Sequence, residues 1–215
     1  MSGTRKRYQG KINDKERTKG KLIDAVGEVI KTQGYTALNS TNIAKAAGLS
    51  RRAISLYFGD VENLIETYIN GKDYWIGIIE DTKVDMEQLD DNAIDTEKVL
   101  DSLLVNQFEY FFCDTEMQKI LSWQVNEFSD VMLRVSNNRE RLSKIFFDKA
   151  DEELRGKEID VRPVAALLVA GIYYLILHSK TLKSPFCELD INNPSDFERV
   201  RNTISLILKL VYNQS

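Results

Sequence analysis

The stretch AKAAGLSRRAISLYF, residues 44–58, decides how the rest of the chain is interpreted. It holds two short helical runs separated by Gly48, and two arginines follow the break. A helix-turn-helix needs a small residue where its helices cross, a residue that reverses the chain at positive φ, and an apolar anchor on the second helix. Ala44, Gly48 and Ile54 supply these features at spacings of four and then six residues. The stretch therefore predicts a helix-turn-helix rather than an ordinary helical corner.

Arg51 and Arg52 occupy the first turn of the predicted second helix. Positive charges at a helix N-terminus oppose the helix dipole, so a purely structural helix would favour acidic residues there. The first residues of a recognition helix meet base edges in the major groove, where arginine makes paired hydrogen bonds to guanine. We therefore predict that these arginines bind DNA. A solvated surface pair is the alternative, and the sequence leaves open which arginine reads a base.

Further DNA contacts are predicted around this helix. The start of the preceding helix presents backbone N–H groups, which bind phosphate well. Basic residues before the first helix are placed to add phosphate contacts, which set register and affinity. Tyr57 either offers its hydroxyl to the DNA backbone or packs in the core. The full predicted set is Arg51, Arg52, Ser55, Tyr57, Ser40, Thr41, Lys45, Arg17 and Lys19.

Charge is divided unevenly along the 215 residues. Residues 1–70 carry 12 Lys and Arg against 7 Asp and Glu, and the remainder carries 17 against 26. A basic N-terminal third indicates a polyanionic partner at one end only, with a solubilising basic tail as the alternative. The predicted domains are a flexible basic arm over 1–16, a helix-turn-helix DNA-binding domain over 17–60, and a helical ligand-binding and dimerisation domain over 61–215.

The remaining chain favours an all-α fold of about nine helices. Apolar residues recur three and four apart from Thr18 onward, no segment sustains period-two alternation, and only three prolines interrupt the chain. Helix four is predicted to run from residue 61 to 81, followed by a polar loop over 82–95. The expected architecture is an N-terminal three-helix DNA-binding domain joined to a larger C-terminal helical domain.

Cys113 and Cys187 form no Cys-x-x-Cys pair, so neither a zinc ribbon nor a redox motif is indicated. Both are expected to be reduced and buried. The N-terminus shows no apolar signal segment, and the longest apolar run, Val164 to Leu177, is too short to span a bilayer. We therefore expect a soluble, cytoplasmic protein.

Residues 18–69 resemble the N-terminal DNA-binding domain of TetR-type transcriptional regulators. The resemblance rests on a set of short motifs along the first four helices. These are Gly34-Tyr35 closing helix one, Ile43-Ala44 on helix two, Ala47 to Ser50 at the turn, Tyr57-Phe58 ending helix three, and Leu64 on helix four. The remaining helices fit the family's variable ligand-binding and dimerisation domain, but no motif there identifies a subfamily.

The resemblance implies a homodimeric repressor that binds a palindromic operator and is released by a small apolar or amphipathic ligand. Two positions depart from the family's pattern. The family usually has a tyrosine where Ser55 stands and often a lysine where Val61 stands, and both typically contact phosphate. We therefore expect Arg51, Arg52 and Tyr57 to supply more of the DNA contacts than the corresponding residues of a typical family member. The basic arm over 1–16 is placed to compensate by reaching a neighbouring minor groove.

The body offers candidates for dimerisation and ligand binding. The run VAALLVAGIYYLIL, residues 164–177, is apolar all the way round and must be covered on every side. Together with the last helix it is predicted to form a four-helix interface between two copies. The candidate ligand-lining residues, for each of which core packing is the alternative, are Tyr110, Phe111, Trp123, Phe128, Met132, Tyr174 and His178.

An enzyme is not expected. A single histidine serves few acid–base or metal schemes, and no nucleophile elbow, phosphate-binding loop or dinucleotide fingerprint occurs. Accordingly no cofactor, metal or membrane partner is predicted. The alternative function is a helix-turn-helix protein with no small-molecule effector, controlled by a protein partner.

Overall fold

A computed structural model describes residues 10–73, 77 and 95–213. Within these ranges it contains nine α-helices and no strand beyond one isolated bridge between Phe186 and Leu189. The helices are α1 (Gly10–Gln33), α2 (Ser40–Ala47), α3 (Arg51–Phe58), α4 (Val61–Lys72), α5 (Thr96–Cys113), α6 (Thr115–Asn126), α7 (Asp130–Glu153), α8 (Val161–Leu182) and α9 (Pro194–Asn213). The predicted fold class, all-α with a helix-turn-helix at the N-terminus, is confirmed.

The chain divides into two compact units that meet in sequence between Ile69 and Asn70, inside α4. The predicted boundary between residues 60 and 61 falls at the start of the same helix. Because α4 is continuous across the division, its last turn belongs to the second unit.

The first unit is organised around an apolar stripe on α1 that packs against α2. The buried residues of the stripe are Leu22, Ala25, Val26, Val29 and Ile30. Ile43 and Ala44 of α2 and Ile54 of α3 are also buried, so the small residue and the apolar anchor predicted for the helix-turn-helix, Ala44 and Ile54, lie in its core. Burying a side chain such as Ile43 or Ile54 stabilises the fold by about 1.5–3 kcal/mol.

The first helix begins earlier than predicted. It starts at Gly10, so residues 10–16 of the predicted flexible arm are helical, and Arg17 and Lys19 lie within α1 rather than before it. Charged residues that lack an apolar stripe still favour helix when they pair one turn apart. Arg17 pairs with Asp14 at 3.1 Å and Lys19 with Glu16 at 3.5 Å. Residues 1–9 lie outside the described residues.

The second unit is built around α5, which packs against α9, α8, α6 and α7. Its fully buried side chains include Leu104, Phe108 and Phe111. Phe108 stacks on Phe197 of α9 with ring centroids 4.5 Å apart. The helix therefore forms the centre of the second core.

Two expectations for the second unit need correction. Helix α4 ends at Lys72 and Asp73 is not helical, so the predicted helix over 61–81 is interrupted there. Residue 77 is helical, and the other residues of 74–94, with most of the predicted loop over 82–95, lie outside the described residues. Cys113 and Cys187 are free, as expected, but both are exposed rather than buried. Cys113 ends a helix and Cys187 lies in the turn before α9, so neither position faces a core.

Helix α8, Val161–Leu182, is long and apolar enough to cross a membrane, which corrects the expectation that the apolar run over 164–177 is too short to do so. Only 22% of its most apolar stretch is buried within the chain. An apolar helix with so much open surface requires another covering surface, and a second protein copy meets that need as well as lipid does.

Candidate nucleic-acid interface and effector groove

The turn between α2 and α3 has the geometry that the sequence requires. Asn39 caps α2, its side-chain oxygen accepting hydrogen bonds from Thr41 N at 3.0 Å and Asn42 N at 2.9 Å. Gly48 adopts φ 64° and ψ 32°, a left-handed conformation in which a side chain would be strained. Leu49 N then donates to Ala44 O at 2.9 Å and closes the turn. The chain is thus reversed directly before Arg51.

Helix α3 presents a polar and basic face opposite its single buried residue. Ile54 is 1% exposed and anchors the helix, whereas Arg51, Arg52 and Ser55 are exposed. Tyr57 is half-buried, between the two roles considered for it. The predicted base-reading residues are therefore accessible on one short helix.

The predicted phosphate contacts are less uniform. Thr41 and Lys45 are exposed and Ser40 is half-buried, so their side chains lie at or near the surface. The backbone N–H of Thr41, however, is already satisfied by Asn39. The start of α2 therefore offers fewer unpaired N–H groups than the sequence suggested, and its contribution to phosphate binding shifts to side chains.

Leu56 is a surface residue of α3 that the sequence interpretation missed. Its side chain is 71% exposed, and it lies four residues after Arg52, one helical turn along the same face. The spacing could have shown this. Leu56 lies four residues after Arg52, on the same face, and two residues after the buried Ile54, on the opposite face, so it cannot face the core.

A groove of about 760 Å³ lies in the second unit between α7 and α8. Its α8 wall consists of small and apolar residues together with Tyr173 and Arg162, and its α7 wall is polar apart from Phe147. The lining residues are Gln124, Ser136, Arg139, Glu140, Ser143, Lys144, Phe147, Arg162, Ala165, Ala166, Val169, Ala170 and Tyr173. An apolar wall opposite a wall with cations and hydroxyls suits an amphipathic ligand.

Arg139 links this groove to the end of α4. Its Nε donates to Asp73 Oδ2 at 2.6 Å, and its Nη1 donates to Gln124 Oε1 at 2.7 Å. The Asp73 side chain is fully buried and the Arg139 side chain is 11% exposed. Asp73 directly follows the last residue of α4, so a groove-lining cation fixes the point where that helix ends.

Lys72 adds a second set of bonds at the same helix end. Its ammonium group lies 3.1 Å from Asp114 and 3.2 Å from Glu116, while Tyr110 donates its hydroxyl to the Lys72 carbonyl at 3.0 Å. Burial, together with the carboxylates of Asp114 and Asp73, raises the pKa of Tyr110 to about 12. Tyr110 therefore remains a neutral donor throughout the physiological range.

The seven predicted ligand-lining residues do not line this groove. Phe111, Trp123 and Met132 are buried in the core, as aromatic and thioether side chains at helical spacing usually are. Phe128 is exposed on the connection between α6 and α7, and Tyr110 is engaged at the end of α4.

The other two predicted residues lie on the outer face of α8. Tyr174 and His178 form a ring cluster with Phe186, with centroids 5.0–5.7 Å apart. His178 Nε2 lies 3.2 Å from Ser184 Oγ, so this histidine holds the turn after α8. Neither residue meets the groove on the α7 side.

The outer face shared by α8 and α9 is strongly apolar. Leu167 and Tyr174 of α8 and Leu206 and Leu210 of α9 are all exposed large side chains. A shallow depression of about 290 Å³ between the two helices continues this surface. Exposed apolar areas of this kind mark interfaces.

Comparison with known proteins identifies the DNA-binding portion. Residues 22–68 match the family described as bacterial regulatory proteins, tetR family. Over these residues the chain is similar to tetR-family regulators, and the predicted resemblance is confirmed. A search of curated protein sequences found no match.

Several solved structures share the fold over nearly the whole chain. The fatty acid degradation regulator FadR from Bacillus halodurans is 20% identical, with TM-score 0.59, over 94% of this chain and 97% of that one. FadR from Bacillus subtilis, solved with stearoyl-CoA, is 18% identical, with TM-score 0.64, over 88% and 96%. NalD from Pseudomonas aeruginosa, the secondary repressor of the MexAB-OprM efflux pump, is 15% identical, with TM-score 0.63, over 94% and 100%.

Proposed function

We propose that this DNA-binding regulator is a homodimeric repressor, and that an amphipathic small molecule releases it from a palindromic operator. The observation that carries the proposal is the position of Arg139, which lines a groove and bonds Asp73, the residue directly after α4. The protein acts in the cytoplasm on double-stranded DNA and needs no cofactor. Its output is a change in occupancy of DNA rather than a chemical reaction.

Dimerisation is supported by the apolar face of α8 and α9. Two copies related by a two-fold axis would bury Leu167, Tyr174, Leu206 and Leu210 against their equivalents in a four-helix interface. This explains why α8 is apolar enough to resemble a membrane helix without entering a membrane. A dimer also presents two copies of α3, and a palindromic site offers two matching half-sites.

The effector is proposed to bind between α7 and α8. Its apolar part lies along Ala166, Val169 and Ala170, and its polar end lies near Arg139 and Lys144. An acidic group on the effector competes with Asp73 for the Arg139 guanidinium. The stearoyl-CoA bound by the Bacillus subtilis structure is an amphiphile of this kind and serves as the first probe.

The competition at Arg139 supplies the coupling to DNA binding. With Asp73 held by Arg139 and Lys72 held by Asp114, the last turn of α4 is fixed. An effector that removes Arg139 from Asp73 releases one of these restraints. Such a ligand shifts the protein toward a second state only by its greater affinity for that state, and we propose that this state holds α4, and hence the helix-turn-helix, in a position unsuited to the operator.

Titration calorimetry of the full-length protein tests the effector site. Stearoyl-CoA, stearate and coenzyme A are compared, and the expected result is binding that requires both the acyl chain and an acidic group. Ala166→Phe fills the groove and should abolish binding, while Val125→Phe, on an exposed position of α6 outside the groove, should not. Absence of binding by all three probes would contradict this class of effector and favour control by a protein partner.

A further inference from the structure

The exposed leucine of α3 has no role in holding the first unit together. Ile54 supplies the buried anchor of the helix, and Leu56 lies on the opposite side. A side chain that is 71% exposed gains little from burial within its own chain. Isolated exposed leucines are common on protein surfaces, so exposure alone assigns no function.

The position of Leu56 is what distinguishes it from the other exposed leucines. It follows Arg52 by one helical turn, and Ser55 and Arg51 border the same exposed surface of the helix. The basic residues match the negative charge of DNA. Since α3 is the second helix of the helix-turn-helix, this surface is the one that enters the major groove in the proposed function.

The chemistry of the major groove restricts what a leucine can recognise there. Base edges present hydrogen-bond donors and acceptors, which an aliphatic side chain cannot satisfy, and thymine alone adds a methyl group. Burying that methyl group against an aliphatic side chain is favourable, whereas placing the leucine over a donor or acceptor leaves a polar group without its water. Leu56 therefore suits a thymine and disfavours the other bases at its position.

We propose that Leu56 reads the 5-methyl group of a thymine in each half-site of the operator. The inference rests on the proposed DNA-binding function and assigns one base of its target. Four residues of α-helix advance about 6 Å, which corresponds to about two stacked base pairs. The thymine read by Leu56 therefore lies within about two base pairs of the position contacted by Arg52.

The test removes only the methyl group. Sequences bound by the full-length protein are first selected from a random DNA pool, and each thymine of the selected site is then replaced singly by deoxyuridine. Binding is measured at one salt concentration for the wild-type protein, for Leu56→Ala and for Leu133→Ala. Leu133 is an exposed leucine of α7 and serves as the matched control.

The wild type and Leu133→Ala should lose about fourfold in affinity when the methyl group at one thymine is removed, the effect of one buried methyl-sized group. Changing both half-sites should multiply the effect to about fifteenfold. Leu56→Ala should bind the DNA with thymine and the DNA with deoxyuridine at that position equally. Circular dichroism should show an unchanged melting temperature for Leu56→Ala, because the side chain is outside the core.

The outcomes separate this inference from the proposed function. If removing a thymine methyl group never weakens binding by the wild type more than binding by Leu56→Ala, the proposed role of Leu56 is wrong. The proposed DNA-binding function is then unaffected. A random pool that yields no enriched sequence overturns the proposed function, and the role of Leu56 with it.

Discussion

Arg139 donates through Nε to the buried carboxylate of Asp73 at 2.6 Å, and this bond joins the groove of the second unit to the end of α4. The arginine comes from the middle of α7 and the aspartate from the residue after α4. Gln124 accepts from the same guanidinium at 2.7 Å and helps to orient it. One cation is thus shared between the groove and the end of α4, the helix in which the two units meet along the sequence.

Breaking this ion pair from one side should be costly. Asp73→Leu or Arg139→Met alone leaves a buried charge without its partner, which lowers the free energy of unfolding by about 3–5 kcal/mol. The double variant Asp73→Leu/Arg139→Met removes both charges and should recover most of that loss. Urea denaturation of the four proteins measures the effect, and strictly additive losses in the double variant would contradict the pairing.

The same double variant tests whether this ion pair couples effector binding to DNA binding. The variant lacks the restraint that the effector is proposed to break, so it should bind the selected operator more weakly than the wild type does, and stearoyl-CoA should not weaken that binding further. Retained release by stearoyl-CoA in the double variant would show that Arg139 and Asp73 do not transmit the signal.

Asp114 should make the stability of the folded protein depend on pH in the acid range. Burial raises the pKa of this carboxyl, but the hydrogen bond from Met117 N and the bond and charge of Lys72 outweigh it, so the pKa is lowered overall. A carboxylate with a lowered folded-state pKa stabilises the fold above its unfolded pKa of 3.8, and that stability is lost as the pH falls through the folded value. Asp114→Asn keeps a side chain suited to capping α6 but removes the titration.

Thermal melting at a series of pH values compares the two proteins. The melting temperature of Asp114→Asn should lie below that of the wild type at about pH 7, and the difference should shrink as the pH falls below the unfolded pKa of 3.8. Asp130→Asn, at the exposed start of α7, controls for the loss of a carboxylate at a helix N-terminus. A constant difference between wild type and Asp114→Asn at every pH would contradict the assignment.

The dimer interface should be sensitive to charge at its apolar centre. Leu206→Glu places two unpaired carboxylates in a two-fold interface, and desolvating them costs several kcal/mol. Sedimentation at micromolar concentration should show a dimer for the wild type and a monomer for Leu206→Glu. Leu133→Glu, on an exposed position outside that face, should remain dimeric. A monomeric wild type would exclude the proposed four-helix interface.

Arg52 and Lys45 should affect DNA binding differently. Arg52→Ala removes a predicted base contact and should cost about 1–3 kcal/mol while relaxing specificity at one position. Lys45→Ala removes a predicted phosphate contact, so affinity should fall equally for all sequences and the salt dependence should decrease by about one ion. Fluorescence anisotropy with the selected site and a scrambled site distinguishes the two. An equal loss on both DNAs for Arg52→Ala would place it on phosphate.

The helix-turn-helix was predictable because local sequence determines it. The small Ala44, the positive φ of Gly48 and the buried Ile54 each have a physical reason that depends on neighbouring residues alone. The start of α1 could not be predicted, because the charged turn before Thr18 has no apolar stripe. That turn forms helix with the support of its ion pairs. Exposure of Leu56 follows from its spacing and could have been read from the sequence.

The ligand-binding region could not be predicted in the same way. Large aromatic residues such as Phe111 and Trp123 were plausible linings, yet they are the residues that fill the core most effectively. The groove is lined by residues such as Ala166, Ser143 and Arg139, whose pattern is typical of any solvent-facing helix. Only the packing of α8 beside α7 brings them together, and that depends on contacts distant in sequence.

The most direct test of the central claim is selection of bound DNA from a random pool by the full-length protein. The account predicts an enriched palindromic sequence, with two half-sites separated by about one helical turn of DNA and bound by one dimer. A pool that remains unenriched after repeated rounds, or an enriched site without two-fold symmetry, would contradict it.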